Sequence, residues 1–275
     1  MTLLSCATPT VAVASRSALN EAVRLGHGDG GLPAIRVTRA VGYMRVAPQM
    51  TGGLPGHPAG TRSAMDAPKQ VSRRLLEVAG TTYADEAGIT LKDAPKPLFQ
   101  LLVLCMLASK PIAASIATRA AREVFKAGLR TPDAVLAADR QTMIDAFGRA
   151  SYARYDESSA TRLTEMAQRV RDDYAGDLRG LADRCGHDVA AAKRMLKAFK
   201  GIGDAGADIF LREVQDVWPW VHPYYDDRAT AAAKQLGLPT DPDKLAALAQ
   251  HGNARLAAAL IRASLDDDVR RRVTG

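Results

Sequence analysis

The run LFQLLVLCMLA, Leu98 to Ala108, leaves this chain few ways to fold. It is apolar on every side except at Gln100, and a helix without a polar face is stable only when protein or lipid surrounds it. At 1.5 Å per residue the run is about 16 Å long, short of the roughly 30 Å of a hydrocarbon core. The spacing therefore predicts a helix over 95–109 at the centre of a protein core. Around it, Ala and Leu dominate and apolar residues recur three and four apart. Aromatic residues make up only 5% of the chain, and no β-branched cluster resembles a strand. The class this implies is all-α.

The punctuation agrees. KQVSRRLLEVA closes on Gly80 with Val71, Leu75, Leu76 and Val78 on one broad side. Pro111 is expected to open PIAASIATRAAREVFKAG, which Gly128 closes. Thr131 and Pro132 read as N-cap and first helical position of the next helix. About ten helices with short connections are expected in all. Residues 1–64 differ: RLGHGDGGLPAIR and QMTGGLPGHPAGTRS are rich in Gly and Pro without a sustained period. They read as a disordered extension, or as sequence preceding the true start at Met65, so the folded domain is expected over 65–275.

Charge and cysteine narrow the function classes. The formal charge is +7, and the six Arg of residues 1–64 against Glu21 and Asp29 supply +4 of it. The remainder is nearly balanced, so any affinity for nucleic acid must come from local clustering. Cys6, Cys105 and Cys185 stand far apart without a CxxC pair, which argues against a disulfide scaffold, a zinc site or an iron–sulfur cluster. No cofactor and no metal are expected. MTLLSC has no basic and apolar segment ahead of its cysteine to make an export signal, so the expected location is cytoplasmic.

The stretch FKGIGDAGADIFL, Phe199 to Leu211, is the most suggestive local pattern. Gly201 and Gly203 can take positive φ and let two helices meet in a tight hairpin. Leu196, Phe199 and Ile202 are placed to pack them together, and Ala207 permits close approach. Amides of the turn and the following helix N-terminus suit a phosphate. Lys193, Arg194, Lys197 and Lys200 precede it within eight residues. Asp204 opposes an anion there, and an ordinary αα-hairpin is the plain alternative.

As a whole the pattern resembles the helix-hairpin-helix of the endonuclease III superfamily of DNA glycosylases. Three further segments resemble that family in the same order: LLVLCMLASKPIAASIATRAAREVF, DAFGRASYARYDESSATRLTEMAQRV and YYDDRATAAAKQLGLP. Together they cover roughly residues 95–240. The resemblance implies two helical subdomains, one like a six-helix barrel and one of N- and C-terminal helices, with the hairpin at the cleft between them. It implies double-stranded DNA as partner, no membrane, and a monomer. It also allows a monovalent cation at the hairpin.

Counting back from Leu236-Gly237-Leu238, the family's catalytic aspartate falls on Asp226, with Asp227 as competitor. Where bifunctional members carry a lysine this chain has Ala205, and the four-cysteine cluster of several branches is absent. The expected DNA contacts are Gly201, Gly203, Ala205, Lys197 and Lys200, with Lys110 as a wedge and Tyr225 beside Asp226 in the base pocket. Trp218 and Trp220 are expected in the core packing between subdomains. A lone carboxylate can stabilise the oxocarbenium-like sugar left by a departing base and orient the attacking water. Strand cleavage by β-elimination needs an amine to form an imine, and Ala205 offers none. The expectation is a monofunctional N-glycosylase of base excision repair. The alternatives are a helix-hairpin-helix protein that binds DNA without catalysis and a helical scaffold that does not bind it. For Asp226 the other role is simply to cap the helix that follows.

Overall fold

The computed structural model describes residues 60–249 and 252–275. The chain runs through α1 (Gly60–Ala79), α2 (Tyr83–Glu86), α3 (Pro95–Ala108), α4 (Ala114–Lys126) and α5 (Pro132–Ala137). It continues through α6 (Arg140–Arg149), a 3-10 turn (Ala153–Tyr155), α7 (Asp156–Tyr174), α8 (Gly180–Arg184), α9 (Val189–Lys197) and α10 (Asp204–Val214). The last helices are α11 (Asp227–Gln235), α12 (Pro242–Ala249), α13 (Asn253–Leu265) and α14 (Asp267–Thr274). Among the described residues there is no strand, as the apolar spacing predicts. The extension expected over 1–64 falls outside the described residues up to position 59. Helix α1 begins at Gly60, ahead of the start expected at Met65.

Helix α3 is the axis of the core. Its residues Leu98 through Leu107 are all buried, and α4 and α10 pack along it. The side chains of α2 through α10 and of the segment after α10 form one continuous hydrophobic cluster around it. A second cluster joins α1 to α11 through α14, with Leu75, Ala229, Leu245, Leu260 and Val273 at its centre. Trp218 and Trp220 stack with centroids 5.2 Å apart, and the Trp218 indole N–H donates to Asp93 at 2.9 Å. Both belong to the cluster around α3. Cys105 is fully buried, and burial pushes its thiol up, which makes it an inert core residue.

Local signals set most boundaries. The Thr131 hydroxyl accepts from the Ala134 amide at 3.3 Å and opens α5 at Pro132. Gly128, at φ +89°, ends the turn after α4. One boundary differs from expectation. Pro111 does not open α4, which starts at Ala114 behind an extended Ala113. The Ile112 amide instead donates to the Lys110 carbonyl at 2.8 Å, closing a tight turn. A residue before proline is disfavoured in the helical region, so residues 109–113 form a bend.

Candidate functional site

That bend is one wall of a cavity of about 660 Å³. Leu104 and Ala108 of α3 form its back, Ala205, Asp208, Ile209 and Arg212 of α10 its side, and Asp226 its edge at α11. Asp227 and Arg228 follow at the same edge, and Tyr83, Ile261 and Leu265 lie on the remaining side. The volume lies within the roughly 300–1,000 Å³ usual for small-molecule pockets.

Asp226 is held from three directions. One carboxylate oxygen accepts from the Ala229 amide at 2.9 Å, so the residue is the N-cap of α11. The other accepts a hydrogen bond from the guanidinium of Arg212, and both side chains are nearly buried, at 7% and 8% exposure. The backbone just before it is clamped by Gln215. That amide accepts from the Tyr224 N–H at 2.9 Å and donates to the Tyr224 carbonyl at 3.0 Å. The Tyr224 hydroxyl donates to Asp208 at 2.5 Å, and Asp208 also pairs with Lys193 at 2.5 Å. Asp227 is the first residue of α11; it also lines the cavity but is exposed.

A carboxylate has about four acceptor positions. The Ala229 amide and Arg212 take two, which leaves capacity toward the cavity. Arg212 sits beside Glu213, whose two oxygens accept the amides of Tyr83 at 3.1 Å and Ala84 at 2.9 Å. Burial pushes Glu213 up to about 7, although both amides and Arg212 favour its charged form. Burial also lowers Arg212 from its ordinary value. Each of these buried charges is compensated by a hydrogen bond or an opposite charge, as a low-dielectric site demands.

The hairpin forms between α9 and α10. Gly201 has φ +93°, and the Ile202 amide donates to the Phe199 carbonyl at 3.0 Å. Gly203 differs from expectation: its φ of −96° and ψ of −166° are extended, and it serves as N-cap of α10 without a side chain. The strained position is Gly201 alone. Ala207 is fully buried, as a close approach requires, and Gly206 sets a different approach, that of α10 to α3. A Cβ at Gly206 would meet Ser109 Oγ at 2.2 Å and the Cys105 carbonyl at 3.1 Å. A methyl there would require the Ser109 hydroxyl to move before α10 could lie this near the end of α3.

The expected site residues separate into two groups. Asp226, Ala205 and Lys110 line the same cavity. Lys110 also sits 5.3 Å from the centroid of the Tyr155 ring, and burial with nearby Arg162 lowers it from its ordinary value. Gly201, Gly203, Lys197 and Lys200 lie outside that wall. Lys197 pairs with Asp204 at 2.6 Å and Lys200 with Glu165 at 2.8 Å. Asp204 is held below its usual range first by the hydrogen bond from Lys197. Tyr225 is a correction. It does not line the cavity but belongs to the second cluster, where its hydroxyl donates to Asn253 at 2.9 Å. The aromatic ring at the cavity is Tyr83.

Arg212, Asp208, Glu213 and Tyr83 were not singled out by sequence reasoning. One signal was present: Arg212 and Glu213 interrupt the otherwise apolar end of IFLREV. Charged residues on the buried side of a core helix need partners. No protein family, curated protein or solved structure compared with this chain matches it.

Proposed function

We propose that the chain is a monofunctional DNA glycosylase of the helix-hairpin-helix kind, with Asp226 as its catalytic carboxylate. In this reading the cluster around α3 and the cluster of α1 with α11–α14 are the two subdomains, and duplex DNA lies across the cleft with one nucleotide turned into the cavity. The observation that carries the proposal is the convergence of Asp226, Ala205 and Lys110 on one cavity from three separate segments.

The chemistry follows from what surrounds Asp226. The C1′–N bond breaks with its electron pair leaving on the base, and positive charge develops on the sugar. A preorganised carboxylate in a water-poor site stabilises that charge. Water then bonds to C1′, and its displaced proton passes by way of Asp226 or solvent to the departed base. Hydrogen bonds from Arg212 and the Ala229 amide fix the carboxylate in direction. With Ala205 where a lysine would stand, no imine forms and the strand stays intact. The open first turn of α10 at Gly203 receives a backbone phosphate. No resident metal or cofactor takes part.

A second reading has its own support. The Arg212 guanidinium neutralises much of the field of Asp226, and Lys197 and Lys200 are engaged with carboxylates. A DNA-binding protein without catalysis would tolerate both. Duplex oligonucleotides carrying single damaged or mismatched bases separate the readings. Wild type is expected to release one class of base without cutting the strand, and borohydride should trap no adduct. Asp226→Asn, which retains the cap, should bind the duplex and lose excision by roughly two to three orders of magnitude. Salt-dependent duplex binding with no excision across the panel would select the second reading. Equal excision by Asp226→Asn would reduce Asp226 to a helix cap.

A further inference from the structure

At the opposite end of α3 lies a second concavity, of about 540 Å³. Lys92 comes from the loop before α3, Lys96 from its first turn, Arg122 and Lys126 from the end of α4, and Arg130 from the turn beyond. No carboxylate lines it. Charge is assembled here from two segments distant in sequence, 92–96 and 122–130, in a chain whose folded part is nearly neutral. Like charges at close range repel, so their convergence without internal anions needs a reason.

The floor supplies one. Gln100, the single polar residue in the apolar run of α3, is 7% exposed and lines this concavity. Its side-chain amide bonds to no other residue among the described ones and opens onto the concavity, where a ligand oxygen can meet it. Two of the cations are also held in place. Arg130 Nε donates to the Phe125 carbonyl at 2.7 Å, and an Arg122 terminal nitrogen donates to the Glu86 carbonyl. Lys126 pairs with Glu123 at 2.8 Å, outside the lining. Lys92 and Lys96 have no ion pair among the described residues and stand exposed.

We infer that this concavity is a binding site for a small, multiply charged phosphate compound, with Lys92, Lys96, Arg122 and Arg130 gripping the phosphates and the Gln100 amide bonding a terminal oxygen at the floor. Guanidinium groups fixed through one nitrogen present the remaining donors in the planar arrangement phosphate oxygens favour. A recessed amide selects a small ligand over a nucleic-acid backbone, because a duplex is convex and its phosphates ride on the rim. The inference is independent of the chemistry proposed at Asp226, since that cavity touches the other end of α3.

The test is calorimetric titration of the full chain with tripolyphosphate. One saturable site per chain is expected. Lys92→Gln with Lys96→Gln should weaken it at least tenfold, and Gln100→Leu, which keeps the volume but removes the amide, at least threefold. Lys234→Gln with Lys244→Gln removes the same charge elsewhere and should change affinity less than twofold. Saturating undamaged duplex should leave tripolyphosphate binding in place. Absence of saturable binding overturns the inference, as does equal weakening by the distant pair or an unchanged Gln100→Leu. Displacement by the duplex also overturns it, and would assign the groove to nucleic acid.

Discussion

The two concavities at the ends of α3 treat charge in opposite ways. Around Asp226 each buried ion has a partner inside the chain: Arg212 with Asp226, Lys193 with Asp208, and Glu213 with two backbone amides. At the other end, five cations gather with no carboxylate in the lining. Internal pairing fixes groups in position, and it leaves less field to act on a ligand. Unpaired charge attracts from a distance and fixes little. The first arrangement suits a site where one atom must be aimed, and the second a site that must capture an anion.

The contrast breaks most visibly at Arg212. Arg212→Met should cost about 3–5 kcal/mol, because it leaves a buried carboxylate without its counter-charge. Urea denaturation would measure it, and Arg212→Met combined with Asp226→Asn should regain much of the loss. A loss that persists in full in the double variant would mean that Arg212 matters through packing instead. Gly206→Ala comes next, at about 1–3 kcal/mol, since the new methyl forces Ser109 away from its bond to the Cys105 carbonyl. Adding Ser109→Ala should restore part of it.

A smaller effect depends on pH. The folded value of Glu213, about 7, lies above its ordinary 4.5, so the folded state binds this proton more tightly than the unfolded chain. Its contribution to stability is fully present below about 4.5 and is lost as pH rises through about 7. The stability advantage of wild type over Glu213→Gln should therefore shrink between those values, as urea titrations at several pH values would show. At the far end of the scale, Lys92→Gln with Lys96→Gln should leave the melting temperature unchanged. So should Lys197→Gln, because exposed ion pairs contribute little. A marked drop in either would remove the distinction between charges that hold the fold and charges that do not.

The parts of this molecule legible in sequence are those set by neighbours along the chain. The apolar run predicts a buried α3, Thr131 and Asp226 are recognisable caps, and Gly201 marks a turn with positive φ. The boundary at Pro111 was misplaced because a proline suits a first helical position as well as a tight bend. Tyr225 was expected at the cavity from adjacency to Asp226, but consecutive residues entering a helix point different ways. The Arg212–Asp226 pair spans fourteen positions, and the Glu213 bonds to α2 span about 130. Such pairings arise from how α10 packs, and only the oddity of charges inside an apolar helix hints at them. Gln100 carried the same kind of hint within α3.

Glu213 has a mechanical consequence. By holding the first amides of α2 it welds a short helix, which lacks the length to stand alone, to the shaft of α10. Tyr83 projects from that weld into the cavity, and Arg212 projects from the neighbouring position on the shaft. Ring and guanidinium thus move as one casting, and any push on the hairpin that opens α10 is delivered to both walls at once. Substitutions at position 213, although remote from solvent, should therefore alter what the cavity admits.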